Sequence, residues 1–159
     1  MGPPCRLGQR TTAILNVTIS GTAQERPDFS GEWILNRQAS TLSPGADAMQ
    51  SGVVWIEHRE PTFRYKAALV SATGPLQYEY ELPSDGRELV STHEGITMVS
   101  RLRWEGDALV ASWREQRPDG EMNMSFRHEL LDAGRRLRAV EELRGSGRHQ
   151  DNVWIFDRR

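Results

Sequence analysis

The side chains best equipped to meet a small molecule are Tyr65, Tyr80, Met98, Arg101, Trp113, Met124 and Phe126. Tyrosine, tryptophan and phenylalanine offer large apolar faces, and methionine adapts its shape, so together they suit the wall of a ligand pocket. Tyr78 is interchangeable with Tyr80 in this role. Arg101 adds a different chemistry, because a guanidinium presents a planar fork of donors that fits a carboxylate. Arg103, Arg114 and Arg127 accompany it on successive apolar-polar segments. Were these arginines to face inward, they would receive an acidic ligand. Met98, Leu102, Trp104, Trp113, Met124 and Phe126 compete for that inner face, and alternation then favours the arginines outside.

Catalytic and metal chemistry is poorly represented. His58, His93, His128 and His149 are far apart in sequence, without the short spacing of a ligand pair. His93 and Glu94 beside Arg101 are the first candidates for acid-base work, against the plainer reading of a strand end in solvent. Gly145-Ser146-Gly147 reads as a hairpin turn rather than a phosphate cradle, since no helix follows it. Asn16-Val17-Thr18 and Asn123-Met124-Ser125 match the glycosylation pattern without further support. Cys5 is the single cysteine, so neither an intrachain disulfide nor a cysteine metal site is expected. No cofactor is implied.

The elements that must position these residues are strands. Phe63, Tyr65, Ala67 and Leu69 alternate with Arg64, Lys66 and Ala68, the clearest half-buried strand in the chain. Leu76 to Leu82 alternates as strictly, and so do Thr97 to Trp104 and Met122 to Leu130. Phe29 to Asn36, Gly52 to His58, Ala108 to Gln116 and Gln150 to Asp157 read as further strands, with a short one at Glu88 to His93. Residues 37–51, with Pro44-Gly45, read as a loop with room for one helical turn. Pro83-Ser84-Asp85-Gly86, Glu105-Gly106-Asp107, Pro118-Asp119-Gly120 and Asp132-Ala133-Gly134 are turns. Arg136 to Leu143 has helical propensity. It is nonetheless assigned as a strand, because the preceding turn opens a hairpin and a lone helix would leave sheet edges uncovered. Turns at this spacing give an all-β protein of about 8–10 antiparallel strands, an up-and-down β-barrel.

Bulk properties agree. The chain has 159 residues, enough for one core, and a net charge of −2, which gives no basic face for nucleic acid. No apolar stretch is long enough for a transmembrane helix. Residues 1–27 read differently from the rest. Arg6 and Arg10 precede the apolar run Ala13 to Ile19, followed by Ser20-Gly21-Thr22-Ala23. This is the order of a signal peptide, the alternative being a disordered N-terminal segment. Cleavage after Ala23 would remove Cys5. Residues 28–159 then form the barrel domain, secreted or periplasmic if the leader acts, cytoplasmic otherwise.

Asp28-Phe29-Ser30-Gly31-Glu32-Trp33, with Leu35-Asn36 and Ser40, resembles the opening of lipocalin-like (calycin-type) small bacterial β-barrel proteins of uncharacterised role, whose first strand carries Gly-x-Trp. Val153-Trp154-Ile155-Phe156-Asp157-Arg158 resembles their closing strand. The resemblance spans residues 28 to 159. It implies that the first and last strands are neighbours, that Trp33 closes one end of the barrel, and that Arg158 or Arg159 lies across it. Against true lipocalins the chain lacks disulfide cysteines, and its strands read as short, which implies a small interior.

Three functions fit. A non-enzymatic binding protein would hold a small hydrophobic or amphipathic ligand in the barrel. A ligand-free accessory domain of the envelope would have a packed core. A barrel isomerase or cyclase would need an acid, base or tyrosine facing inward. The first is the leading expectation, and the oligomeric state is left open.

Overall fold

A β-strand places alternate side chains on opposite faces, so a sheet that curls on itself sends every second residue to one interior. The computed structural model, which describes residues 25–159, is built this way throughout. Its ten strands are β1 (Gly31–Leu35), β2 (Met49–Arg59), β3 (Thr62–Ser71), β4 (Gly74–Pro83), β5 (Asp85–His93), β6 (Ile96–Glu105), β7 (Ala108–Arg117), β8 (Gly120–Leu131), β9 (Arg136–Gly145) and β10 (Arg148–Arg158). All neighbours are antiparallel, in the order β4-β3-β2-β1-β10-β9-β8-β7-β6-β5. The result is an up-and-down barrel, nearly closed. It is open only where β4 and β5, joined through Ser84, form the two free ends of the sheet.

The first and final strands of this sheet do pair, with Trp33 opposite Arg158 and Leu35 opposite Phe156. Trp33 is fully buried, and the Arg158 guanidinium lies 4.2 Å from the centre of its ring. Arg158 also donates from Nη1 to the Ser30 carbonyl (2.7 Å) and from Nε to the Gly134 carbonyl (2.8 Å). Arg159 instead pairs with Glu32 (2.7 Å). The cation lies across the ring as the Gly-x-Trp resemblance implied.

Arg136 to Gly145 is a strand despite its helical propensity. It pairs along its whole length with β8 on one side and β10 on the other, and twenty registered partners outweigh a local preference. Three expectations need correction. Strands β2 to β10 run from 9 to 12 residues and are not short. The short strand expected at Glu88 begins at Asp85; it is exposed at an edge and held by pairing with β6, so alternation did not mark its start. The loop between β1 and β2 contains turns and one isolated bridge, Thr41 to Val153, in place of a helical turn. Of the leader or disordered segment expected over residues 1–27, residues 1–24 lie outside the described residues. Arg26 lies 4.8 Å from the ring centre of Trp104, against the closed end of the barrel.

Candidate functional site

The two ends of the barrel differ. At one end Phe29, Trp33, Phe63, Leu102, Leu109 and Leu137 are without solvent exposure. Trp33 donates its indole hydrogen to the Phe29 carbonyl (3.0 Å), and Phe29 donates its backbone N–H to His58 Nδ1 (3.3 Å). Glu60 receives the Trp104 indole N–H (2.8 Å) and the Ser84 hydroxyl, and lies 3.0 Å from His58 Nε2. Partial burial pushes its carboxyl up, but these hydrogen bonds outweigh burial and hold it below the ordinary range. Every inward polar group named here is satisfied, so this end is a plug.

Toward the other end, packing stops short of filling the interior, leaving a cavity of about 560 Å³. Its wall includes Tyr65 and Leu69 of β3, Leu76, Tyr78 and Tyr80 of β4, Met98 of β6, and Trp113 of β7. Met124, Phe126 and His128 of β8, Ala139, Glu141 and Leu143 of β9, and Trp154 of β10 complete most of it. Gly45 and Ala46 of the β1–β2 loop, with Arg148 and Gln150, stand at the mouth.

The aromatic wall is continuous. Tyr65 stacks on Tyr80 with ring centres 5.0 Å apart, Tyr80 meets Trp113 edge-on at 4.9 Å, and Trp113 meets Phe126 at 6.2 Å. Such offset and edge-on pairs hold large rings in one arrangement. Burial raises the Tyr65 and Tyr80 hydroxyls well above the usual phenol value, and that of Tyr78 to about 12. All three are therefore neutral at physiological pH. His128 is 1% exposed; burial lowers its pKa to about 4 although its bond to the Leu109 carbonyl (3.2 Å) opposes the shift. It too is neutral, and because a carbonyl only accepts, Nδ1 carries the hydrogen.

Six of the seven side chains named from sequence, Tyr65, Tyr80, Met98, Trp113, Met124 and Phe126, meet on this cavity wall. Arg101 does not. Ser100 and Leu102 on either side of it point inward, so Arg101 must point out. It lines a separate groove of about 260 Å³ on the outer face, with Glu88, Arg103, Arg114 and Arg144. His93 and Glu94 are exposed at a turn and form no cluster with it. Among the described residues no group of three His, Cys, Asp or Glu side chains is placed to hold a metal.

The reading from sequence left out the two buried polar residues of the cavity, Glu141 and His128. Both stand at inward positions, Glu141 in phase with Leu137, Ala139 and Leu143, and His128 in phase with Met124 and Phe126. That phase was the available signal.

Solved structures share this barrel. Secretory abundant heat soluble protein 4 from Ramazzottius varieornatus is similar over 86% of this chain and 99% of its own, at 10% identity and a TM-score of 0.53. Human cRBP IV is similar over 84% and 99%, at 16% identity and a TM-score of 0.52. Zebrafish ileal bile acid-binding protein, in complex with cholic acid, is similar over 82% and 98%, at 13% identity and a TM-score of 0.51. The fold is the lipocalin-like (calycin-type) barrel. At these identities the likeness concerns the fold. No protein-family model matches the chain, and no curated protein does. No helix among the described residues of this lipocalin-like barrel is long and apolar enough to cross a membrane.

Proposed function

We propose that this lipocalin-like barrel is a non-enzymatic binding protein that holds one small hydrophobic or amphipathic ligand in its interior. The observation that carries this reading is the cavity of about 560 Å³ with aromatic, methionine and leucine walls. Ligand pockets are commonly of about 300–1,000 Å³ and mostly apolar with a few placed polar groups. A ligand-free accessory domain would have filled that space with side chains, because protein interiors pack closely. The zebrafish neighbour, a bile acid-binding protein complexed with cholic acid, supports the same reading by fold analogy.

The test is titration with the neutral apolar dye Nile red, together with native mass spectrometry of the purified chain. Saturable one-to-one binding is expected in the unaltered protein. Met124→Trp, which adds an indole to the wall, is expected to abolish it while the folded circular-dichroism signal persists. Dye binding unaffected by Met124→Trp would place the dye elsewhere and refute the reading. We further propose that residues 1–23 act as an export leader for the barrel of residues 28–159; fusion of residues 1–27 to a reporter enzyme should send the reporter out of the cytoplasm, and retention would refute this.

A further inference from the structure

Among the carboxylates on the cavity wall, Glu141 is the buried one. It is 7% exposed, and one of its oxygens is fully engaged: Oε2 accepts from Asn152 Nδ2 (2.9 Å) and from Trp154 Nε1 (2.7 Å). Its other oxygen, Oε1, accepts no hydrogen bond among the described residues, and no lysine or arginine there is paired with this carboxylate. A buried carboxylate is ordinarily paired with a cation or fully hydrogen-bonded, because burial strips its water. Here the carboxylate with its unengaged oxygen belongs to a residue on the wall of an apolar cavity large enough for a ligand.

The surroundings agree in sign. Three carboxylates line the cavity, Glu79, Glu115 and Glu141, against one arginine, Arg148, which stands exposed at the mouth. Arg101, Arg103, Arg114 and Arg127, which could have received an acid, all point to the outer face. His128 spends its Nδ1 hydrogen on the Leu109 carbonyl, which leaves Nε2 as an acceptor. The tyrosine hydroxyls are donors, but the charge of Glu141 bears on Tyr65 and Tyr78 and would bear equally on any anion bound to them.

We propose, resting on the ligand-binding reading above, that the cavity takes an apolar ligand with a hydrogen-bond-donating amine head group, seated on Oε1 of Glu141, and discriminates against fatty carboxylates. Asn152 and Trp154 hold the carboxylate in place, so the bond to the ligand forms on a preorganised acceptor.

The experiment compares dodecylamine, dodecanol and dodecanoate, below their aggregation concentrations at neutral pH, as competitors for Nile red in the full chain. Dodecylamine is expected to bind about tenfold tighter than dodecanol, the gain of one charge-assisted hydrogen bond, and dodecanoate more weakly than both. In Glu141→Gln, which keeps an oxygen for Asn152 and Trp154, the amine should lose its advantage over dodecanol. Dodecanoate binding as tightly as the amine, or an amine advantage that survives Glu141→Gln, would overturn the proposal. The ranking on the unaltered chain decides the matter even if the variant fails to fold. If dodecanol displaces the dye and the amine does no better, only this inference fails. If neither the dye nor any of the three binds, the binding reading falls with it.

Discussion

His128 makes the barrel sensitive to mild acid, with a magnitude that the structure supplies. In the unfolded chain its imidazole titrates near 6.5, whereas in the barrel burial lowers the pKa to about 4. Between these values the unfolded chain binds a proton that the folded one refuses, so stability must fall as pH falls. The effect is absent well above pH 6.5, develops below it, and is complete once pH drops past about 4. At 1.36 kcal/mol per pH unit the full loss is about 3 kcal/mol, of which about 2 kcal/mol appears between pH 7 and pH 5. For a chain of this size that is a fall in Tm of about 4–8 °C. The carboxylates of Asp28, Glu60 and Asp157 are lowered from ordinary values of 3.8 to 4.5, so their losses come at lower pH. The assay is urea unfolding of the parent and of His128→Gln, followed by tryptophan fluorescence at pH 7, 6 and 5. The glutamine retains an N–H for the Leu109 carbonyl but has no proton to gain. The variant should lose about 2 kcal/mol less than the parent across this range. Equal losses in both proteins, or a folded-state NMR signal assigned to the His128 imidazole that titrates above pH 6, would refute the reasoning.

Three further outcomes follow from geometry. Gly145 has φ of +107°, and a Cβ there would lie 2.0 Å from the Glu121 carbonyl oxygen. Gly145→Ala should therefore cost about 2 kcal/mol or more in urea unfolding, whereas Gly147→Ala, which meets nothing within 4 Å, should cost about 1 kcal/mol from backbone strain alone. Arg158→Ala should destabilise by about 1–2 kcal/mol by removing the cation from the Trp33 ring and two carbonyl hydrogen bonds, with Arg158→Lys a poor rescue on thermal melting. Arg101→Ala should leave Nile red affinity unchanged, because its side chain is on the outer face; a marked loss on titration would contradict that placement.

The barrel was legible because its inward face is apolar at every second residue through β3 and much of β8. The turn at Asp132 to Gly134 was decisive for β9, since it committed Arg136 onward to a hairpin against a helical propensity that pairing then overrode. Strand β5 was harder to read because an edge strand exposed on both faces leaves no alternation to follow. Residue type misled in two places. Arg101 attracted attention as a carboxylate receptor although its phase with Ser100 and Leu102 sends it out. Glu141 attracted none because glutamate reads as a surface residue, although its phase sends it in. At both positions the period of two, rather than the chemistry of the side chain, predicted where the group would lie.

The pairing of β1 with β10 also bears on how the chain is made. Synthesis is vectorial, and β1 emerges more than a hundred residues before the strand that covers its second edge. Until β10 arrives, Trp33 has Val54 of β2 beside it but lacks Arg158, which is both its partner on β10 and the cover over its ring. Each hairpin from β2 to β4 and from β5 to β9 can form as it emerges, but the plugged end is assembled only when the two distant segments meet. A nascent chain stalled before Val153 would thus present a set of paired strands with an unsealed aromatic end, a natural target for a holding chaperone.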